Sequence, residues 1–233
     1  MVLNVLRNGK KVSYKLSNSE GTLLQHLEQI KHEQDATLTF ASGCRSSVCG
    51  SCAVRVNGKE VLACSYKVQS GDVVEPLKNV PLIRDLVVDM EKALSFNTVA
   101  KNWAVNASDV HAVSPEDAAI NEVQSDCILC GACYSACPVY AVNPEFIGPF
   151  ALTRNWRYVS DKREEGTAEK IAAVQSNGIW DCTLCGECVP VCPQGIAPKT
   201  DIDMLRNKSN VMGYMDPKYA SFGGGLDFGA PSF

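Results

Sequence analysis

Histidine is scarce in this chain: three in 233 residues, His26, His32 and His111, each far from every cysteine group. That leaves the commonest general base and imidazole ligand out of the candidate chemistry. His26 and His32 fall on an expected helix and read as surface positions of it. There is no GxGxxG run, no Walker loop and no nucleophile–His–acid set at a defensible spacing. Substrate chemistry is therefore not expected in this chain. A dominant charge sign is missing too: 22 basic and 26 acidic residues give −4, no electrostatic case for nucleic acid. No apolar run reaches the roughly 18 residues of a membrane span, so the chain is not expected to span a membrane. Met1–Gly9 lacks the basic segment, apolar core and small-residue cleavage site of a signal peptide, and none is expected.

Cysteine, by contrast, is abundant. All twelve fall in three tight groups, which points to metal in a reducing compartment rather than to secreted disulfides. Two groups repeat one pattern. Cys127-Ile-Leu-Cys130-Gly-Ala-Cys133-Tyr-Ser-Ala-Cys137-Pro138 and Cys182-Thr-Leu-Cys185-Gly-Glu-Cys188-Val-Pro-Val-Cys192-Pro193 are both C-x2-C-x2-C-x3-C-P, the run that holds a cubane iron–sulfur cluster. The fourth cysteine of each run stands too far along to reach the same iron comfortably, and in two-cluster folds it ligates the other cubane. The expected 4Fe–4S sites are thus Cys127, Cys130, Cys133 and Cys192, and Cys182, Cys185, Cys188 and Cys137. Structural zinc favours two CxxC pairs, and eight cysteines in two Pro-terminated runs fit cubanes better. The third group, Cys44-x4-Cys49-x2-Cys52 with Cys64 eleven residues on, has the plant-type 2Fe–2S spacing. Ser42, Gly43, Ser46, Ser47, Gly50 and Ser51 let backbone N–H groups approach its sulfurs. Arg45 either adds positive charge there or is a surface residue.

Around these groups the sequence divides into a 2Fe–2S domain over 1–105, a helical two-cubane domain over 106–212, and a Gly- and aromatic-rich tail over 213–233. In the first, Val2–Leu6 and Lys11–Leu16 flank Asn8-Gly9, and Val54–Val56 and Val61–Ala63 flank Asn57-Gly58, two hairpin signals. Thr22-x-x-Gln25 reads as a capping box opening a helix. A strand at Leu38–Phe40, another from Val73, and a helix from Asn79-Val-Pro81 through Leu94 complete a β-grasp pattern, with 95–113 as linker. In the second domain, helix starts are expected at Ser114-Pro115 and at Asn143-Pro144-Glu145. Further helices are expected after Gly148-Pro149 through Tyr158, from Thr167 to Gln175, and from a loose capping box at Thr200. Arg154, Trp156, Arg157 and Tyr158 read as local charge compensation beside thiolate clusters. The tail reads as draping over a partner, or else as a frayed terminus. The fold class is α+β: an N-terminal β-grasp (plant-type ferredoxin-like) domain followed by a mainly α-helical bacterial-ferredoxin-like domain.

With these groups read, the chain resembles the iron–sulfur subunit of the succinate dehydrogenase/fumarate reductase family up to about residue 210. The resemblance rests on Cys44-Arg45-x3-Cys49-Gly50-Ser51-Cys52 with Cys64, the CxxCGxCxxxCP run from Cys127, and Asn143-Pro144-Glu145-Phe146-Ile147-Gly148-Pro149 with Ala151-Leu152. It implies an electron relay through one 2Fe–2S and two further clusters. The relay would connect an FAD flavoprotein that interconverts succinate and fumarate with a membrane-associated, quinone-reactive part. FAD would belong to the partner, and this chain would sit peripherally, on the cytoplasmic face of the cell membrane. Usual members lack a cysteine at the position of Cys185 and carry 3Fe–4S on residues matching Cys137, Cys182 and Cys188. Here Cys185 supplies the missing corner. Val139-Tyr140-Ala141 and Thr183 also stand where the family's quinone pocket takes a Trp and a His. Both departures resemble the non-classical branch whose extra subunits are cysteine-rich and membrane-associated, and the extra thiolate of Cys185 implies a low-potential last cluster, which favours fumarate reduction. The alternatives are a relay for a glycolate- or heterodisulfide-linked flavoprotein, or a structural subunit stabilised by its clusters.

Overall fold

The computed structural model describes residues 1–17, 20–105 and 112–220. His111 and residues 221–233, most of the aromatic tail, lie outside them. The first half is a five-stranded sheet in the order β2-β1-β5-β3-β4, built from β1 (Val2–Arg7), β2 (Lys10–Lys15), β3 (Ala53–Val56), β4 (Lys59–Leu62) and β5 (Val73–Glu75). Asn8 (φ 46°) with Gly9 (φ 77°), and Asn57 (φ 50°) with Gly58 (φ 86°), close the two hairpins in the left-handed geometry such turns require. β1 runs parallel to β5; the other pairs are antiparallel. Helix α1 (Leu23–Glu33) starts at a complete Thr22/Gln25 capping box and buries Leu23, Leu24, Leu27 and Ile30 with Leu3, Val5, Val54, Val56 and Val74. That core fixes the sheet from which the first cysteine loop hangs.

His26 is also inside, only 2 % exposed, which corrects its reading as a surface position. Burial lowers its pKa, so it rests neutral. Leu38–Phe40 is not a strand. The Thr39 N–H bonds Asp85 Oδ2 (2.9 Å) and its carbonyl accepts the Leu86 N–H (3.2 Å), which replaces a sheet ladder. The expected 79–94 helix is absent as well. A ribbon of β6 (Leu82–Arg84) and β7 (Val87–Val88) occupies most of its place, and α2 (Glu91–Val99) takes only its last four residues and runs on into the expected linker. The cause is tertiary. Asp85, fully buried at φ 50°, accepts both Arg7 Nε and Nη2 at 3.0 Å, so the chain must turn there.

The second half is helical: α3 (Pro115–Ala119), α4 (Glu122–Ser125), α5 (Ala132–Ser135), α6 (Pro138–Val142), α7 (Pro149–Val159), α8 (Thr167–Ala173), α9 (Pro198–Val211) and α10 (Pro217–Ala220). Ser114 and Asp117 form a full capping box at α3. Asn143 does not start a helix; its side chain accepts the Glu145 N–H at 3.1 Å as a turn, and the helix waits for Pro149. α9 begins at Pro198, two residues before the expected cap at Thr200. Ala93 and Phe96 of α2 pack with Tyr134, Tyr140, Phe150, Leu152, Ile171 and Leu205, so α2 carries the first half into the second core. Asn79 ties the halves from the other side, donating to the carbonyls of Tyr134, Ser135 and Cys137 at 2.9–3.2 Å.

One buried ion pair secures α8. Lys170 and Glu164 have side chains 1 % exposed and meet at 2.9 Å, and Glu164 also accepts the N–H groups of Gly166 and Val105. Lys170→Met leaves that carboxylate buried without its cation. The expected loss is about 3–5 kcal/mol, read as a lower urea midpoint with unchanged slope; a change under about 1 kcal/mol would contradict it.

Candidate metal centres

The first cysteine loop is wound by three left-handed residues, Arg45 (φ 59°), Ser47 (φ 64°) and Gly50 (φ 74°). Such turns aim consecutive backbone N–H groups inward. The Ser46 and Val48 N–H groups reach Cys44 Sγ at 3.3 and 3.4 Å, and the Cys44 N–H reaches Cys49 Sγ at 3.3 Å. Gly43 leaves the room this takes, because a Cβ there would meet Cys49 Sγ at 2.9 Å. The turn after β4 returns Cys64 to the loop, with Ser47 Oγ 3.5 Å from its sulfur. The N–H of Ser46 above all pulls the Cys44 thiol down to about 6. Burial pushes Cys52 up to about 11 against the Cys64 N–H, which pulls the other way, and the thiols of Cys64 and Cys49 add to the rise. The loop thus brings together all four cysteines of the expected 2Fe–2S group. Arg45 is a surface residue, 65 % exposed and paired with Glu28 at 2.7 Å.

The two repeated runs adopt one backbone twice. Leu129 and Leu184, at matching positions, both have φ 55°, and Gly131 (φ 80°) and Gly186 (φ 86°) follow them. A bulky residue at positive φ is held there against its preference, a mark of a built site. In the second run the turn places the Leu184 N–H 3.4 Å from Cys182 Sγ, and the start of α6 places the Tyr140 N–H 3.4 Å from Cys137 Sγ.

Cys127, Cys130 and Cys133 line a cavity with Phe150, Thr153, Ile196 and, from the other run, Cys192. Burial raises all three of the first run's thiols here, Cys130 to about 11, and their mutual charge adds to it. The Leu129 N–H and Arg154 act in the opposite sense on Cys127. Cys137 crosses the other way: burial raises it first, and then the charges of Cys182 and Cys185. Burial likewise pushes Cys188 up to about 12, helped by Cys182 and Cys137. Cys185 is the exposed member of that set. A cluster suits this donor set because iron displaces thiol protons that burial otherwise retains. Among the described residues no three Cys, His, Asp or Glu are placed to hold a single metal ion.

Arg206 and Gln194, outside the runs, serve the site without any motif to announce them, and Gly50, within the first group, has a second role there. Arg206 of α9 donates to the carbonyls of Ile179 (2.8 Å) and Cys182 (2.5 Å) and lies 5.6 Å over the Trp180 ring. Gln194 Nε2 bonds the Ser47 carbonyl at 2.9 Å, joining the first loop to the residues after Cys192. Gly50 abuts Cys130 so closely that a Cβ would lie 2.8 Å from the Cys130 Cβ.

Residues 5–95 match a 2Fe–2S iron–sulfur cluster binding domain, and residues 123–196 match a 4Fe–4S dicluster domain. The fumarate reductase iron–sulfur subunit of Mycobacterium tuberculosis is 38 % identical, over 77 % of this chain and 77 % of its own length. That of Escherichia coli O6:H1 is 37 % identical over 81 % of each. In three dimensions a chain of the Mycobacterium smegmatis Sdh1 complex in the apo form shares the fold, with a TM-score of 0.81 at 22 % identity, covering 93 % of this chain and 98 % of that one. Among the described residues no helix is long and apolar enough to cross a membrane. With both domain types in order and relatives of this similarity along most of its length, the chain belongs to the family of fumarate reductase and succinate dehydrogenase iron–sulfur subunits.

Proposed function

We propose that the chain relays electrons between an FAD flavoprotein acting on fumarate and a membrane-associated, quinone-reactive and cysteine-rich partner on the cytoplasmic face, with fumarate reduction as the working direction. Cys44, Cys49, Cys52 and Cys64 hold a 2Fe–2S cluster. Cys127, Cys130, Cys133 and Cys192 hold one 4Fe–4S, and Cys137, Cys182, Cys185 and Cys188 hold a second. The supporting observation is the meeting of the first two cysteine groups at Gly50 and Cys130 across the two halves. Cys133 also senses the charge of Cys188, so the third group adjoins the second.

Bound clusters supply one-electron carriers. The chain's own part is to set their spacing, exclude water and tune their potentials. Ser46 and Val48 present N–H groups to Cys44, which stabilises negative charge on that sulfur. The apolar wall of Phe150 and Ile196 keeps the middle site dry. The carbon chemistry falls to the flavin partner.

Iron and sulfide analysis of the anaerobically purified complex tests the assignment. About ten iron atoms per chain are expected; a reproducible value near four, with zinc making up the rest, refutes it.

A further inference from the structure

A carboxylate is buried beside the middle cysteine group, and the relay as described leaves it without a role. Asp201, on the first turn of α9, is 2 % exposed. Its Oδ2 accepts the hydroxyl of Thr153 at 2.8 Å, and its Oδ1 accepts Nε2 of Gln124 at 2.8 Å. Thr153 itself lines the cavity of Cys127, Cys130, Cys133 and Cys192. One side chain therefore separates the carboxylate from the space those cysteines enclose. Gln124 is half-buried, so the Oδ1 side stands one side chain from solvent.

Among the described residues Asp201 has no cation as partner. The charged groups on the surrounding elements are Arg154 and Arg157 on α7, Glu169 and Lys170 on α8, and Glu122 on α4, with Lys199, Asp203, Arg206 and Lys208 on α9 itself, of which Arg206 is bonded to the carbonyls of Ile179 and Cys182. Arg157 is bonded to Ser125, Glu169 to Lys101 and Lys170 to Glu164, while Arg154 acts on Cys127. Both hydrogen-bond partners of the carboxylate are neutral. A buried carboxylate with two neutral donors is poised between its charged and uncharged forms, unlike one held by an arginine.

We propose that Asp201 is the proton partner of the middle cluster site: it takes one proton from solvent when an electron arrives there from a neighbouring cluster, and returns it to solvent when the electron leaves. The added electron and the added proton balance, so the buried region keeps its net charge. The inference rests on the reading of Cys127, Cys130, Cys133 and Cys192 as a 4Fe–4S site. Its physical basis is like-charge repulsion across a low-dielectric gap, which makes the carboxylate harder to ionise once the electron is in place. By linkage, the protonated carboxyl makes that site easier to reduce by the same factor. Burial, opposed by the bonds from Gln124 and Thr153, already raises the carboxyl to about 6, so the coupling falls near neutral pH.

The test is a set of redox titrations of the purified complex between about pH 5 and about pH 9, following the EPR signal of the reduced middle 4Fe–4S. Its potential is expected to be flat well below pH 6 and to fall as pH rises above it. Asp201→Asn keeps the shape and removes the titration. Its potential should lose the pH dependence and sit at the wild-type acid limit. Gln124→Leu removes a donor to the ionised form, so the inflection should move to higher pH. This second variant carries the test if Asp201→Asn fails to fold. A wild-type potential independent of pH, or a slope that persists unchanged in Asp201→Asn, overturns the inference and leaves the cluster assignment standing. Folded wild type with no reducible 4Fe–4S at this site overturns both.

Discussion

Replacing Cys185 with alanine is expected to remove one iron per chain and to leave a 3Fe–4S centre on Cys137, Cys182 and Cys188. Cys185 belongs with that group, since its charge raises the thiols of both Cys137 and Cys182. It is also the exposed corner, whereas Cys137 and Cys188 are buried. A corner iron without its thiolate there faces solvent and is lost first. Iron content should fall from about ten to about nine atoms per chain, and low-temperature EPR of the oxidised variant should gain a 3Fe–4S signal that protected wild type lacks. Losing the fourth thiolate should also raise the potential of the last centre. Lys199 and Arg206 act on Cys182 and remain in place, so the change in potential would come from the lost ligand and the altered core. A 3Fe–4S signal of one spin per chain in wild type would remove Cys185 from the ligand set, and with it the argument for a low-potential last cluster and for fumarate reduction.

The cysteine framework was legible because covalent chemistry constrains it locally. Spacing within each run dictates a turn, and the turn appears as the paired positive φ of Leu129 and Leu184. The hairpins were legible for a similar reason: Asn-Gly needs no tertiary help to favour its turn. Where burial decides, the pattern misled. Ile83, Leu86, Val87, Met90 and Leu94 have helical spacing, yet Leu86 is 3 % exposed and Ile83 64 %, because Arg7 captures Asp85 between them. His26 has the type of a surface residue and the position of a core one, four residues before Ile30 on the buried face of α1. Asp201 could not be singled out either. It reads as part of a loose cap, and its meaning comes from Thr153 and Gln124, which are distant in sequence.

Gly50→Ala should interrupt the relay between the first and second clusters while leaving both bound. At φ 74° the position disfavours any side chain, at about 1–2 kcal/mol. The larger effect is contact. A Cβ there would lie 2.8 Å from the Ile128 carbonyl oxygen, 2.8 Å from the Cys130 Cβ and 2.9 Å from the Cys130 Cα. Two of these are backbone atoms, which cannot swing aside as a long side chain would, so the two cysteine loops must separate. The Gln194–Ser47 bond at 2.9 Å, which ties the first loop to the residues after Cys192, opposes that separation. Transfer between clusters falls off exponentially with their separation, so parting the two loops by the width of the wedge should slow it several-fold. Rapid-freeze EPR of the complex, reduced through its flavin, should show the middle cluster filling that much more slowly, with the 2Fe–2S signal intact. Gly71→Ala is the matched control: φ is 94°, and no atom lies within 4 Å of the added Cβ, so it carries the backbone strain without the wedge. Equal slowing in both variants would assign the effect to strain, and an unchanged rate in Gly50→Ala would mean that electrons do not cross at this contact.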